Sequence, residues 1–304
     1  MSKKNFDVLL LTQNEYVSPK LLTPYVENVL LEDNLLKEAL EAKGLTVTRG
    51  SWDEPDFDWA STSFVLFRAI WDYFHRFKEF DCWLSKAARQ TQFINSYSII
   101  RWNMDKHYLL HLQSKKINIP PTLFLEKGET VLLKDLFYDS AWDKAILKPA
   151  IAGGARHTYL LDKSNVEHYQ DIFQQLIAEE ALLFQEFQRQ IISRGEVSFM
   201  IFGGKYSHAV LKKAKQGDFR VQDDFGGSVD NYYPTRDEIE FAEHVVNCCK
   251  PFLPIYARVD VMWDNQNRLC VSELELIEPE LWLRSTEKAA SHLADALVEY
   301  MNGF

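Results

Sequence analysis

The chain is 304 residues long, 46% hydrophobic and 26% charged, with a formal net charge of -10. That balance is ordinary for a soluble globular protein; it excludes a general nucleic-acid binder, which needs basic surface, but not a small anion held by a few placed cations. No apolar run reaches the roughly 20 residues of a membrane span, and the start has no apolar signal-peptide core, so a cytoplasmic protein with no membrane partner is expected.

The length calls for two or three packed units rather than one core. Asp7–Thr12 reads as a short apolar strand. Glu32–Lys43 reads as a helix with Leu35, Leu36, Ala39 and Leu40 on one face and Gly44 as its stop. Leu45–Arg49 and Ser63–Phe67 follow as strands, Trp71–Arg89 as a long helix striped by Phe74, Phe77, Phe80, Leu84 and Ala88, and Gln92–Asn95 as a fourth strand. Strands alternating with helices imply a parallel sheet covered by helices. In such sheets the carboxyl ends of the strands face the ligand crevice, which makes Arg68, with Asp72 and Tyr73 beside it, a candidate substrate anchor. Helix capping and packing are the competing readings, and Trp71, Phe74 and Phe77 read as core rather than as a stacking platform.

The texture changes at Asp105. Asp105–Lys115 is helical, and Asn118–Thr122, with Pro120 and Pro121, leads into a strand. Lys144–Pro149, His157–Asp162 and Ala181–Phe187 read as strands of a small sheet, with Ser164 and Glu167 spaced as a capping box for a helix between them. Lys148 ends an apolar strand beside Gly153 and Gly154, a pattern that brings an ammonium and loop amides to phosphate oxygens. It lacks P-loop spacing, and a mobile glycine hairpin with a surface lysine accounts for the same residues. The apolar run Ala181–Phe187 turns polar at Gln185 and Glu186, as a plain core strand or as one wall of an adenine slot.

From Gly195 the pattern becomes antiparallel: Glu196–Phe202, a Gly203-Gly204 turn, then Tyr206–Lys213. Arg220, with Gly226, Gly227 and Ser228, is either an anion clamp or a solvent loop whose arginine pairs with Asp223 or Asp224. Thr235 and Glu238 form a second capping box, opening a helix to about Phe252, and a terminal helix is expected from Ser285 to Met301.

Tyr256 to Pro279 is the most informative stretch. Polar and apolar residues alternate on both sides of Asp264–Arg268, as in two antiparallel strands joined by a short loop. With the turn centred between Gln266 and Asn267, Asp260 lies opposite Glu273 and Arg258 opposite Glu275, all on one face. Val259, Val261, Trp263, Cys270, Ser272 and Leu274 fall on the other. Carboxylates this close raise one another's pKa unless a cation is present, and hard oxygen donors suit Mg²⁺ or Mn²⁺. The alternative is a solvated strand face with a local salt bridge. Neither the eight histidines nor Cys82, Cys248, Cys249 and Cys270 show zinc spacing, so the cysteines are expected as buried thiols without a disulfide.

Taken in order, Lys106, Ile119–Thr122, Lys148 with its glycine loop, Gln185–Phe187, Gly195 with Glu196, Arg220 with Gly226 and Gly227, Asp260, and Glu273 with Glu275 resemble the ATP-grasp superfamily from Asn103 to Pro279. Arg68 to Tyr73, Asp218 to Gln222 and Glu273 to Pro279 are similar in particular to the cyclo-ligase type of cycloserine biosynthesis, among glutathione-synthetase-like ligases. The resemblance implies an α/β (α+β) chain with a Rossmann-like pre-domain over 1–104 on the substrate side, an ATP lid subdomain over 105–187, and a C-terminal antiparallel-sheet subdomain with the metal site over 188–304. It implies ATP contacts from Lys106, Lys148, Gly153, Gly154, Gln185, Glu186, Phe187 and Glu196. Two Mg²⁺ ions would bind Asp260, Glu273 and Glu275, with Arg220 and Arg258 as catalytic cations. Arg68, Asp72, Tyr73, Gly226, Gly227 and Ser228 would meet substrate. Many relatives have asparagine where this chain has Glu275, so tighter metal binding or Mn²⁺ is implied.

The activity implied is an ATP-dependent carboxylate–amine ligase acting through an acylphosphate on small, amino-acid-like substrates, with a homodimer as the suggested assembly. A phosphotransferase acting on a small hydroxyl acceptor and a non-catalytic ATP-binding regulatory protein are the other readings; the carboxylate trio and lysine pair count against the last.

Overall fold

Short leucine-rich runs separated by helices build the first sheet of the computed structural model, which describes residues 4–215, 217–221, 226–251 and 253–303. β1 (Phe6–Thr12), β2 (Val47–Ser51), β3 (Thr62–Phe67) and β4 (Gln92–Ile94) lie in the order β2-β1-β3-β4, all parallel. Helices cover both faces, so Val8, Leu9, Leu10 and Leu11 are all buried rather than alternating. The first long helix, Pro24–Glu41, starts well before the expected Glu32, because Thr23 caps the Val26 amide and Pro24 is preset at the first helical position. The expected helix Trp71–Arg89 begins only at Phe77. Residues 70–76 run instead through turns closed by Ile70, Asp72 and Tyr73 carbonyls, which frees Trp71 and Phe74 from any helical stripe.

β5 (Thr122–Leu125), β6 (Lys144–Pro149), β7 (Tyr159–Asp162) and β8 (Leu182–Glu186) form an antiparallel sheet in the order β5-β8-β6-β7. Its core gathers Phe137, Phe173 and Phe184 under two helices. The capping box expected at Ser164 and Glu167 does not form. Ser164 turns back to Asp162, a 3-10 turn follows without a side-chain cap, and the helix starts at Gln170.

β9 (Glu196–Phe202), β10 (Lys205–Lys213), β11 (Ser228–Tyr232), β12 (Tyr256–Trp263) and β13 (Leu269–Glu275) make the third sheet, antiparallel throughout, in the order β11-β10-β9-β12-β13. The Thr235–Glu238 capping box is present, and its helix ends at Asn247; the expected end, Phe252, lies outside the described residues. The terminal helix runs over Ala289–Met301, preceded by a 3-10 turn at Leu283–Ser285.

The β12–β13 hairpin pairs Asp260 with Glu273 and Arg258 with Glu275, as its alternation predicts. Beyond Asp260 the register slips by one: Val261 faces Val271, and Ser272 is the extra residue of a bulge. Val271 and Leu269 therefore join Val259, Val261 and Trp263 in the core, the face on which Cys270 and Ser272 were expected. Cys270 instead pairs with Met262, and Ser272 reaches the acidic cluster.

Side chains from the segments that follow the parallel sheet occupy the outer edge of β13. Asn103 donates to the Leu274 carbonyl and accepts from the Leu276 amide, both at 2.8 Å, while the Tyr108 hydroxyl accepts from the Leu274 amide at 2.9 Å. Asn95 donates to the Tyr256 and Leu276 carbonyls, both at 2.8 Å. Buried and unpaired, such groups would each cost about 1–3 kcal/mol, so these bonds fix the hairpin firmly against the parallel sheet. Among the described residues no helix is long and apolar enough to cross a membrane. All four cysteines are free thiols, but only Cys249 and Cys270 are buried; Cys82 is exposed and Cys248 half-buried.

Candidate active site

Residues from the second and third sheets, with segments that lie outside the strands of the first, line one cleft of about 930 Å³, large enough for a nucleotide-sized ligand. Its floor is the acidic face of β12 and β13. Lys106 sits 3.0 Å from Glu273 and also donates to the Ala152 carbonyl, at the glycine loop between β6 and β7. Lys212, opposite Glu196 across β9–β10, reaches Glu196 at 2.6 Å and Asp260 at 3.1 Å. Arg258 grips Asp260 through two nitrogens, Nε at 2.9 Å and Nη2 at 2.8 Å, and pairs with Glu275. Ser198 donates to Asp260 at 2.6 Å, and Ser272 to Glu196 at 2.5 Å.

The charges divide the carboxylates. Burial pushes Asp260 up, but Arg258 and Lys212 overcome it and hold the group below the usual carboxylate range. Burial likewise raises Glu273, and Lys106 and Lys148 bring it back below its ordinary value. Glu275 is pushed above the usual range by burial, with Arg258 offsetting only part of it and the neighbouring Glu273 and Asp260 adding to it. Burial pulls Lys148 below its ordinary value; Glu273 opposes that and Lys106 reinforces it. Farther along the wall, burial raises Glu278 to about 7, although the Tyr73 hydroxyl opposes the shift.

Glu278 makes stability depend on pH with a definite sign. Its folded value of about 7 lies above the ordinary 4.5, so its contribution is complete below the unfolded value and disappears as pH rises through the folded one. The melting temperature in metal-free buffer is expected to fall between about pH 5 and pH 8, and Glu278→Gln to flatten that slope. A slope unchanged in the variant would place the titrating group elsewhere.

The comparisons with known proteins point the same way as this geometry. Residues 8–95 match the family described as D-cycloserine synthetase DcsG, N-terminal domain. Cycloserine biosynthesis protein DcsG of Streptomyces lavendulae is 26% identical over 274 residues, spanning 87% of this chain and 92% of that protein. The crystal structure of D-cycloserine synthetase DcsG matches with a TM-score of 0.84 at 24% identity, over 97% of this chain and 99% of that one. The ATP-grasp ligase PsnB with a minimal precursor, Mg and ADP matches at 0.62, with 17% identity over 98% of both chains. The chain has the ATP-grasp fold.

Within this fold the cleft brings together Lys106, Lys148, Gly153, Gly154, Gln185, Glu186, Phe187, Glu196, Arg220, Arg258, Asp260, Glu273, Glu275, Asp72 and Tyr73. Gly153 presses on Phe74 so closely that a Cβ would lie 2.7 Å from the ring, which explains a glycine there. The amides of Glu186 and Phe187 already donate to the Pro121 and Lys144 carbonyls, and Gln185 donates to Thr122. The side-chain rings of Phe187 and Phe219, edge to face at 6.1 Å, supply apolar wall.

Arg68 is not in the cleft. It is 5% exposed and neutralises Asp33 at 3.1 Å and Glu32 at 3.7 Å, both from the helix Pro24–Glu41. Gly226, Gly227 and Ser228 are not among the described lining residues either: Ser228 starts β11 opposite Lys213, and Val229 is the residue that lines the cleft. Arg220 pairs with Asp218 at 2.7 Å, and the expected partners Asp223 and Asp224 lie outside the described residues.

The carboxylate oxygens are hard donors suited to Mg²⁺. Glu273 and Glu275 present side chains 31% and 28% exposed, whereas Asp260 is 2% exposed with both oxygens engaged. Among the described residues no ready group of three metal-type ligands is gathered. The donor set therefore fits an ion at Glu273 and Glu275, while Ser198, Lys212 and Arg258 occupy both oxygens of Asp260. Lys212, Ser198, Ser272, Glu278 and Trp282 also belong to this neighbourhood without having been singled out by the sequence.

Proposed function

We propose that this ATP-grasp chain is an ATP-dependent ligase that joins a carboxylate to an amine. One juxtaposition carries the reading: Lys106 on Glu273 and Lys212 on Glu196 and Asp260, along a single wall of a nucleotide-sized cleft. Cations already balanced against carboxylates can transfer to a triphosphate while the freed acids take a metal, so charge is conserved in either state. The names of the matched proteins, a synthetase and a ligase, support the reaction class.

In this reading the 105–187 unit is the lid, 1–104 the substrate side and 188–304 the metal side. Lys106 and Lys148 hold phosphates, Gly153 and Gly154 cover them, Gln185, Glu186 and Phe187 border adenine, and Glu196 takes the ribose. Glu273 and Glu275, with Asp260, would hold Mg²⁺, or Mn²⁺ given the extra acid at Glu275; bound there, the ion neutralises phosphate charge. A substrate carboxylate oxygen attacks the γ-phosphorus as the bond to ADP breaks, leaving an acylphosphate. An amine nitrogen then attacks the acyl carbon, the bond to phosphate breaks, and amide, inorganic phosphate and a proton leave. Arg258 and Arg220 offset the charge that develops on the transferring group, so positioning and electrostatics supply the catalysis. Asp72 and Tyr73 border the substrate. A cytoplasmic location, which four free thiols support, and a homodimer belong to the same proposal.

The deciding experiment measures ADP and inorganic phosphate with panels of amino acids and amines. A ligase releases both only when an acid and an amine are present together. Phosphate retained in an organic product identifies a phosphotransferase, and no turnover with measurable ATP binding identifies a regulatory protein.

A further inference from the structure

The turn that joins β12 to β13 closes without the side chain of Asn265. Asp264 accepts from the Gln266 amide at 2.9 Å and the Arg268 amide at 2.8 Å, and Asn267 supplies the left-handed residue, with φ 62°. Asn265 directs its polar groups elsewhere, onto the segment 186–189 that leaves β8. Its Nδ2 donates to the Glu186 carboxylate and to the Phe187 carbonyl, both at 3.1 Å, and its Oδ1 accepts from the Arg189 amide at 3.0 Å. Its own amide donates to Gln188 Oε1 at 2.8 Å. Gln188 Nε2 in turn donates to the Glu186 carbonyl at 3.0 Å and to the Glu186 carboxylate at 3.2 Å. Each Glu186 oxygen thus has its own amide donor, Oε1 from Asn265 and Oε2 from Gln188.

Glu186, Phe187 and Gln188 line the cleft, whereas Asn265 is not among the described lining residues. A residue behind the wall therefore fixes the side chain of one wall residue and the main chain of the next. Left untied, a segment leaving a strand samples several conformations, and ordering it on binding costs affinity; bonds made in advance remove that cost. We propose that Asn265 is a positioning residue for the nucleotide, presetting segment 186–189 so that this wall meets the purine ring in one arrangement. A carbonyl oxygen has two lone pairs, so Phe187 can hold Asn265 and still offer an acceptor to a ring amino group. Docking of the two sheets at this turn has a separate tie: Asn118, ahead of β5, donates to Asp264 and to the Leu269 carbonyl, both at 2.9 Å. The role rests on the reading in which Gln185, Glu186 and Phe187 border adenine.

The test measures by calorimetry how a nonhydrolysable ATP analogue with Mg²⁺ binds the wild type, Asn265→Ala, Asn265→Asp and Arg268→Ala. Asn265→Ala is expected to raise Kd about tenfold, the effect of one or two lost hydrogen bonds. Asn265→Asp keeps the acceptor for Arg189 but loses the donor and sets a second carboxylate against Glu186, so it should weaken binding at least as much. Arg268, 65% exposed, bonds Asp264 and Gln266 within the same turn, and Arg268→Ala should stay within about twofold of wild type. In the two-substrate assay the loss in Asn265→Ala should fall on KM for ATP, with kcat within about threefold. If Asn265→Ala does not fold, Asn265→Asp carries the comparison. Wild-type affinity in the Asn265 variants, or an equal loss in Arg268→Ala, overturns the role of Asn265 and leaves the nucleotide site standing. A wild type that binds no analogue removes the nucleotide site and this role with it. If the analogue binds but no acid-and-amine-dependent ADP release occurs, the ligase reading fails and the calorimetric result decides Asn265 by itself.

Discussion

Glu273→Gln is expected to lower kcat/KM for acid-and-amine-dependent ADP release by about 10²–10³ while leaving the fold intact. The amide keeps the size of the side chain and one acceptor oxygen but loses the charge that balances Lys106 at 3.0 Å. Lys106 and Lys148 then stand beside a neutral group, and the ion that Glu273 would hold loses an anionic ligand. Stability changes little, because the side chain is 31% exposed and solvent screens its pairing. The measurement is turnover alongside a thermal melt. Activity within about tenfold of wild type removes Glu273 from the metal set, and a collapsed melt shows that its charge is structural instead.

Lys212→Met should show the largest loss of stability. Its ammonium, 6% exposed, is shared by Glu196 at 2.6 Å and Asp260 at 3.1 Å, themselves 9% and 2% exposed. Deleting one partner of a buried ion pair typically costs about 3–5 kcal/mol, because a charge is left without compensation. The lower end applies, since Asp260 keeps Arg258 and Ser198, and Glu196 keeps Ser272. Urea unfolding should show an earlier midpoint at unchanged slope, and adding Asp260→Asn should recover part of the loss because the two sites are coupled. The pH sign follows from Asp260. Its pKa is depressed by Arg258 and Lys212 against the pull of burial, so its contribution is present above the unfolded value near 3.8 and lost as pH falls through the depressed one. Without Lys212, acid unfolding should begin at higher pH. A loss below about 1 kcal/mol would show that water enters and solvates both acids.

The acidic hairpin was legible in sequence because a short loop and a period of two determine which residues face each other. That arithmetic holds from Arg258–Glu275 through Asp260–Glu273 and fails where the bulge inserts Ser272. The same kind of irregularity concealed Lys212. Counting outward from the Gly203-Gly204 turn pairs Glu196 with Leu211, but a register shift between Tyr206 and His208 brings Lys212 opposite the acid instead. Bulges leave little trace in side-chain pattern, so the count alone misses them. Arg68 was misplaced for another reason. The strand-end rule locates a residue along the sheet but does not say which charges arrive from elsewhere, and Glu32 and Asp33 come from a helix more than 30 positions earlier whose polar residues carry no sign of the strand end they meet. Trp282 follows the hairpin with no local signal, since Glu32, 250 positions earlier, shapes its turn.

The asparagines and tyrosine that occupy the outer edge of β13 have a mechanical outcome. With Asn95 and Asn103 bolting the acidic hairpin to the parallel-sheet unit, those two parts of the chain are expected to move as a single jaw. Any change in the width of the cleft is then expected to come from the β5–β8 unit, where Gly153 rests on Phe74, while a small molecule over the carboxylates would stay registered to them.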